Sequence, residues 1–203
     1  MKYSVKIPKT DEALSEHLKA NGWTRLKEPQ NFVTALLFSL PFMAVGLGLT
    51  ILVSLPFQVL QQAIQGLSSG FNFSIELPSL LIGLVSMYFF VILHELLHAV
   101  AIPNFLHSKK TYWGITWQGG FVSTTEEMSK GRFCLISCLP FIILSLVLPV
   151  ILGLMGKLSL FILFLACING MGSSIDLLNL TLILFQVPNG SSIINNGFET
   201  YYK

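Results

Sequence analysis

Four apolar segments decide what this chain can fold into. They cover 32–55, 79–103, 133–154 and 159–187. A spanning helix needs about 20 mostly apolar residues, and each segment meets that length. The expected fold class is therefore an all-α membrane protein with four transmembrane helices. Composition agrees. Of 203 residues, only 11% are charged, against about a quarter in soluble domains. The polar start, "MKYSVKIPKTDEALSEHLKANGW", has no apolar core of a signal peptide. The first apolar segment is thus expected to act as the insertion signal. Cys134, Cys138 and Cys167 all lie in apolar runs without metal-knuckle spacing, so packing is their expected role.

Lysine and arginine set the orientation. The arm before span one holds Lys2, Lys6, Lys9, Lys19, Arg25 and Lys27, the loop between spans two and three holds Lys109, Lys110, Lys130 and Arg132, and the first loop holds none. The positive-inside rule makes both termini and the second loop cytoplasmic. Three parts are expected: a cytoplasmic arm over 1–30, a membrane domain over 31–187 and a cytoplasmic tail over 188–203. Within the arm, Thr10 is placed to cap a short helix and Gly22 to end it. The second loop reads "TYWGITWQGGFVSTT". Its aromatic and β-branched residues around Gly119-Gly120 predict a short cytoplasmic β-hairpin between helices two and three. Such a hairpin is either a cover for the bundle or a strand edge that holds an extended peptide.

The second span carries "HELLH", His94 to His98. Residues four apart share a helix face, so His94 and His98 can reach one metal ion. Glu95 is rotated off that face by about 100° and can approach a metal-bound water. Two histidines, a carboxylate and a water make a catalytic zinc site with an open position. Zinc would lower the pKa of the water and polarise a carbonyl, with Glu95 as general base. Each ionisable group in a span costs about 2.5–3.5 kcal/mol on the insertion scale, which marks such groups as functional.

A third ligand must come from elsewhere. An extended metzincin pattern needs Gly at 101 and His at 104; the chain has Ala101 and Asn104, which excludes it. His107 follows the helix-ending Pro103. Glu126 and Glu127 sit beside Lys130 and Arg132 in a loop and remain the alternative pair. Asp176 is favoured, as an acid within span four that needs a partner. Spans two and four run parallel. His94 then lies about 22 Å and Asp176 about 25 Å from the outer ends of their spans, so the two fall at similar depth. Asn169, Ser173 and Asp176 form one polar face, and Gly170 and Gly172 permit close helix approach.

With these residues in place, the chain resembles the site-2 protease type of intramembrane zinc metalloprotease. Within that group it is most similar to the small Putative zincin peptidase family. HELLH, the hairpin with Gly119-Gly120, Pro140 in the third span and Asn169 to Asp176 carry the resemblance. It implies zinc bound by His94, His98 and Asp176, with Glu95 as general base. "NGMGSSIDLL" departs from the pattern of that superfamily: the expected proline is missing, and Leu177 stands where glycine is expected. Hydrolysis of peptide bonds in or near the bilayer is the expected function, with Asn169 orienting substrate or its oxygen. Expected partners are membrane lipid and a peptide or transmembrane protein substrate, with no nucleic acid, in a multi-pass protein of the cell membrane. The alternatives are a catalytically silent chaperone or adaptor and a metal carrier on the same bundle.

Overall fold

The computed structural model describes residues 1–6, 8–68, 76–116 and 119–203. Most of the chain is helical. The helices are α1 (Glu12–Ala20), α2 (Phe32–Ser54), α3 (Gln58–Ser68), α4 (Leu77–Ala101), α5 (Lys130–Pro140), α6 (Leu148–Leu154), α7 (Leu160–Gly172) and α8 (Ser174–Gln186). A π-helical stretch, Phe141–Val147, joins α5 to α6, so Lys130–Leu154 forms one apolar helix despite Pro140 and Pro149. Internal prolines are tolerated where local π adjustment and neighbouring groups satisfy the freed backbone.

Among the described residues, three helices are long and apolar enough to cross a membrane: α2, α4 and Lys130–Leu154. The fourth expected span is a broken pair. Helices α7 and α8 meet at Ser173 with a 44° bend. The interruption falls within the "NGMGSSID" segment. Asn31 and Thr34 form a capping box that starts α2, where paired side chains satisfy orphan amides. Gly46 of α2 lies against the backbone of Gly170 in α7, and a Cβ at Gly46 would strike the Gly170 carbonyl. Two glycines thereby let the backbones touch. Arg132 Nε donates to Ala101 O at 2.7 Å, and Lys130 Nζ donates to Val187 O at 2.7 Å. Two cations read from the sequence as topology signals thus also cap the ends of α4 and α8.

The strands among the described residues form two sheets. β1 (Lys2–Tyr3) pairs in parallel with β3 (Thr111–Thr116), which pairs with β4 (Gly119–Thr124). This is the expected hairpin, with one correction. Gly119 and Gly120 open β4 and pair with Thr116 and Ile115 instead of forming the turn; residues 117 and 118 lie outside the described residues. The second sheet has the order β2 (Thr24–Arg25), β7 (Glu199–Tyr202), β6 (Ser192–Asn196) and β5 (Met128–Ser129). It joins the N-terminal arm and the C-terminal tail, which the sequence reading kept apart, and so brings both to one end of the bundle. The arm helix α1 is capped by Asp11, whose side chain accepts from Leu14 N, and not by Thr10. Gly22 follows it at a φ of +79°, as a helix-ending glycine should.

Hydrogen bonds fix which edge of the hairpin is free. Ser4 N donates to Trp113 O at 2.9 Å, so the peptide groups of Trp113 face β1. Alternate residues of a strand point their peptide groups oppositely. Tyr112, Gly114 and Thr116 therefore face β4 and engage Ser123, Phe121 and Gly119. The N–H and C=O groups of Gly120 and Val122 are left on the outer edge of β4.

Candidate metal centre

Helical spacing puts His94 and His98 on one face of α4, and the break at Ser173 sets Asp176 in the first turn of α8. His94 Nε2 lies 3.3 Å from Asp176 Oδ2, His98 Nε2 lies 3.5 Å from the same oxygen, and the two Nε2 atoms are 3.1 Å apart. These three residues are the one His/Cys/Asp/Glu group among the described residues with geometry to hold a metal ion. Glu126 does not join them. It accepts from Ser108 Oγ at 2.7 Å and lies 3.9 Å from Lys110 Nζ. Glu127 and His107 are exposed on the surface.

The remaining ring nitrogens settle the chemistry of the cluster. His98 Nδ1 lies 2.8 Å from Ile136 O, a group that only accepts, so that nitrogen carries hydrogen. Asn169 turns its Nδ2 toward Pro140 O at 3.4 Å and Ser145 Oγ at 2.9 Å. Its Oδ1 then faces His94 Nδ1 at 2.9 Å, and His94 Nδ1 is the donor. With both rings neutral, the two Nε2 atoms present lone pairs to each other and to a carboxylate oxygen. Three acceptors at one point repel unless a cation, a proton or a metal ion, lies among them. Corners of a tetrahedron with bonds of about 2.0–2.1 Å lie about 3.3 Å apart, and the observed 3.1, 3.3 and 3.5 Å bracket that value. Two imidazoles and a carboxylate are also a donor set that suits zinc. The residues fit the metal.

Glu95 points from the same helix into a cavity of about 480 Å³ that also receives the three ligand residues. Its carboxylate meets the hairpin at Gly120. A Cβ on Gly120 would collide with the Glu95 side chain and stand 2.9 Å from its Oε1. Only glycine lets the free edge of β4 pass this close. Apolar residues from four helices line the remaining wall, among them Met43, Met87, Phe90, Leu165, Met171 and Ile175. Asn169 lies at the cavity floor, 8% exposed. Sequence reasoning assigned it to substrate; the structure gives its carboxamide oxygen to His94. Ile136 and Ser145 had no place in the sequence-based site. An Asn inside an apolar span was the visible signal, but its partner could not be named without the packing.

Comparison with known proteins places these features in a family. The sequence model of a family described as "Putative zincin peptidase" matches residues 87–192. That match covers more than half of the chain and takes in α4 from Met87 onward, the hairpin, the third apolar helix and the broken pair. No curated protein and no solved structure matches.

Proposed function

Since the chain belongs to the Putative zincin peptidase family, a metallopeptidase family, we propose that it is an intramembrane zinc endopeptidase. The convergence of His94 Nε2, His98 Nε2 and Asp176 Oδ2 beside Glu95, inside helices apolar enough to span a bilayer, carries this proposal. His94, His98 and Asp176 hold the zinc. Zinc held there supplies Lewis-acid polarisation of a carbonyl and acidifies water. Glu95, off the ligand face, takes the proton of the attacking water and returns it to the leaving amine. Substrate lies along the outer edge of β4, where the peptide groups of Gly120 and Val122 pair with an extended segment. That edge runs past the Glu95 carboxylate, so a peptide bound there is presented to the base.

The broken pair α7–α8 serves as the fourth span. Irregular backbone at membrane depth is tolerated where it is buried in protein or lines a cavity; Ser173 is wholly buried, and Gly172 and Ser174 on either side of it line the cavity. Both termini lie with the hairpin on the cytoplasmic side of the cell membrane, as the lysine distribution requires. The pairing of β2 with β7 and of β1 with β3 supports one common side.

The test is metal content and cleavage of a transmembrane reporter in liposomes. Wild type is expected to carry one zinc per chain. Glu95→Gln should keep that zinc and lose cleavage by roughly 10²–10⁴-fold. His94→Ala should lose both. A protein without zinc, or an active Glu95→Gln variant, would overturn the proposal.

A further inference from the structure

The third apolar helix contributes no ligand, yet His98 bonds to it directly and His94 is tied to it through Asn169. Pro140 lacks an amide hydrogen, so the carbonyl four residues back, that of Ile136, has no helical donor. The next amide does not replace it, because Phe141 N donates to Cys138 O. The Ile136 carbonyl is therefore open, and it receives His98 Nδ1 at 2.8 Å. One turn further on, the π-helical stretch presents Ser145, which is wholly buried. Its hydroxyl donates to Ala166 O at 2.9 Å and so faces Asn169 with its lone pair, accepting from Nδ2 at 2.9 Å. Pro140 O receives the same nitrogen at 3.4 Å. These two contacts decide which way the Asn169 carboxamide points, and hence that its oxygen faces His94.

We propose that the irregular stretch from Pro140 to Ser145 is a template that orients both imidazoles: Pro140 by freeing the Ile136 carbonyl for His98, and Ser145 by fixing the Asn169 carboxamide for His94. Pro140 and Ser145 are positioning residues; neither touches the metal position. A carbonyl or amide oxygen on Nδ1 holds each ring in the tautomer whose Nε2 lone pair is free, and loss of such outer partners typically lowers metal affinity 10–100-fold. The proposal rests on the zinc site described above and assigns it the residues that set its affinity.

The experiment measures zinc affinity of the full chain by competition with a chromogenic chelator, together with the thermal midpoint of the metal-free protein. Pro140→Ala restores an amide that competes for the Ile136 carbonyl. Zinc affinity should fall roughly 10–100-fold, while the metal-free midpoint holds or rises, since proline is unfavourable inside a helix. A global folding defect would lower both. Ser145→Ala should weaken zinc by at least about 10-fold, and should have no further effect once Asn169→Leu has removed the carboxamide. Ser54→Ala, another buried helix hydroxyl but one bonded to Thr50 O, should leave affinity unchanged. Wild-type affinity in Pro140→Ala and Ser145→Ala would overturn the template and leave the zinc site standing. Equal Ser145→Ala losses with and without Asn169 would also overturn it. A wild-type chain with no measurable zinc would sink the site itself and the template with it.

Discussion

This chain withdraws charge from water in two places, and the two are built differently. In the sheet that joins arm and tail, Glu199 is surrounded by donors. Arg25 Nη1 lies 3.0 Å from one carboxylate oxygen, and the hydroxyls of Ser15 and Tyr201 each donate to the other at 2.7 Å. In the bundle, the cluster of His94, His98 and Asp176 consists of three acceptor atoms facing one another. The first cluster is complete as it stands. The second, with both rings neutral, is short of one cation, and no Lys or Arg among the described residues is ion-paired with it to supply one. Burial of polar groups alone therefore does not mark a site. A deficit of donors, with the acceptors spaced for a tetrahedral ion, does.

The largest expected effect separates the two clusters directly. Asp176→Ala should lower zinc affinity by more than the roughly 100-fold typical of losing an outer partner. Glu199→Ala should act on stability instead. It leaves the buried Ser15 and Tyr201 hydroxyls without an acceptor, which costs about 1–3 kcal/mol, and zinc stoichiometry stays at the wild-type value. Zinc titration and thermal unfolding of the stripped proteins check both. Loss of zinc in Glu199→Ala would break the distinction.

A smaller effect sharpens the contrast within the bundle. Gly120 is not a ligand, but a side chain there meets Glu95. Gly120→Ala should leave zinc affinity unchanged and reduce cleavage by roughly 10²-fold, the scale of a 1 Å misplacement near the reacting atoms. Unaltered cleavage would show that the hairpin edge does not constrain the base.

The two clusters also differ in how far the sequence revealed them. His94, Glu95 and His98 were legible because helical spacing is local and ionisable groups are rare in an apolar run. Asp176 was legible as an acid in an apolar run whose expected depth matched that of His94. The route from Asn169 to His94 was not. Any polar residue in a span finds a partner, and which one depends on packing, here on two glycines that let α2 and α7 touch. The arm cluster was missed for another reason. "IINNGFETYY" carries an Asn-Gly hairpin signal, and β6 and β7 do meet around Gly197 at a φ of +65°. Its pairing with residues 24 and 25 spans almost the whole chain, and no short-range pattern encodes such a contact. The hairpin glycines show the converse: the local pattern predicts a turn at Gly119-Gly120, whereas Gly120 pairs within β4, where a Cβ would strike Glu95.

The smallest effect lies within the arm sheet, where two carboxylates respond to pH with opposite sign. Burial pushes the Glu28 carboxyl up to about 7 from an ordinary value of 4.5, although Thr200 N–H and Oγ–H both donate to it. Its neutral form suits the fold. The stability it contributes is fully present below 4.5 and is lost as pH rises from there to about 7. Burial pushes Glu199 up, but the hydrogen bonds from Ser15 and Tyr201, together with the charges of Arg25 and Lys19, outweigh it and leave the carboxyl lowered, so its contribution is lost as pH falls below the ordinary carboxylate range. The arm should therefore unfold more readily at either extreme than between them. Trp23, beside β2, reports this transition in a Trp113→Phe/Trp117→Phe background. From pH 5 to pH 8 its thermal midpoint should drop by about 2–4 °C, the equivalent of about 1 kcal/mol in a chain of this size. Glu28→Gln should abolish that drop and leave the acid limb in place, and a drop that persists in Glu28→Gln would assign it to another group. Zinc occupancy should be the same in both proteins at pH 8, because the arm completes its charges without the metal.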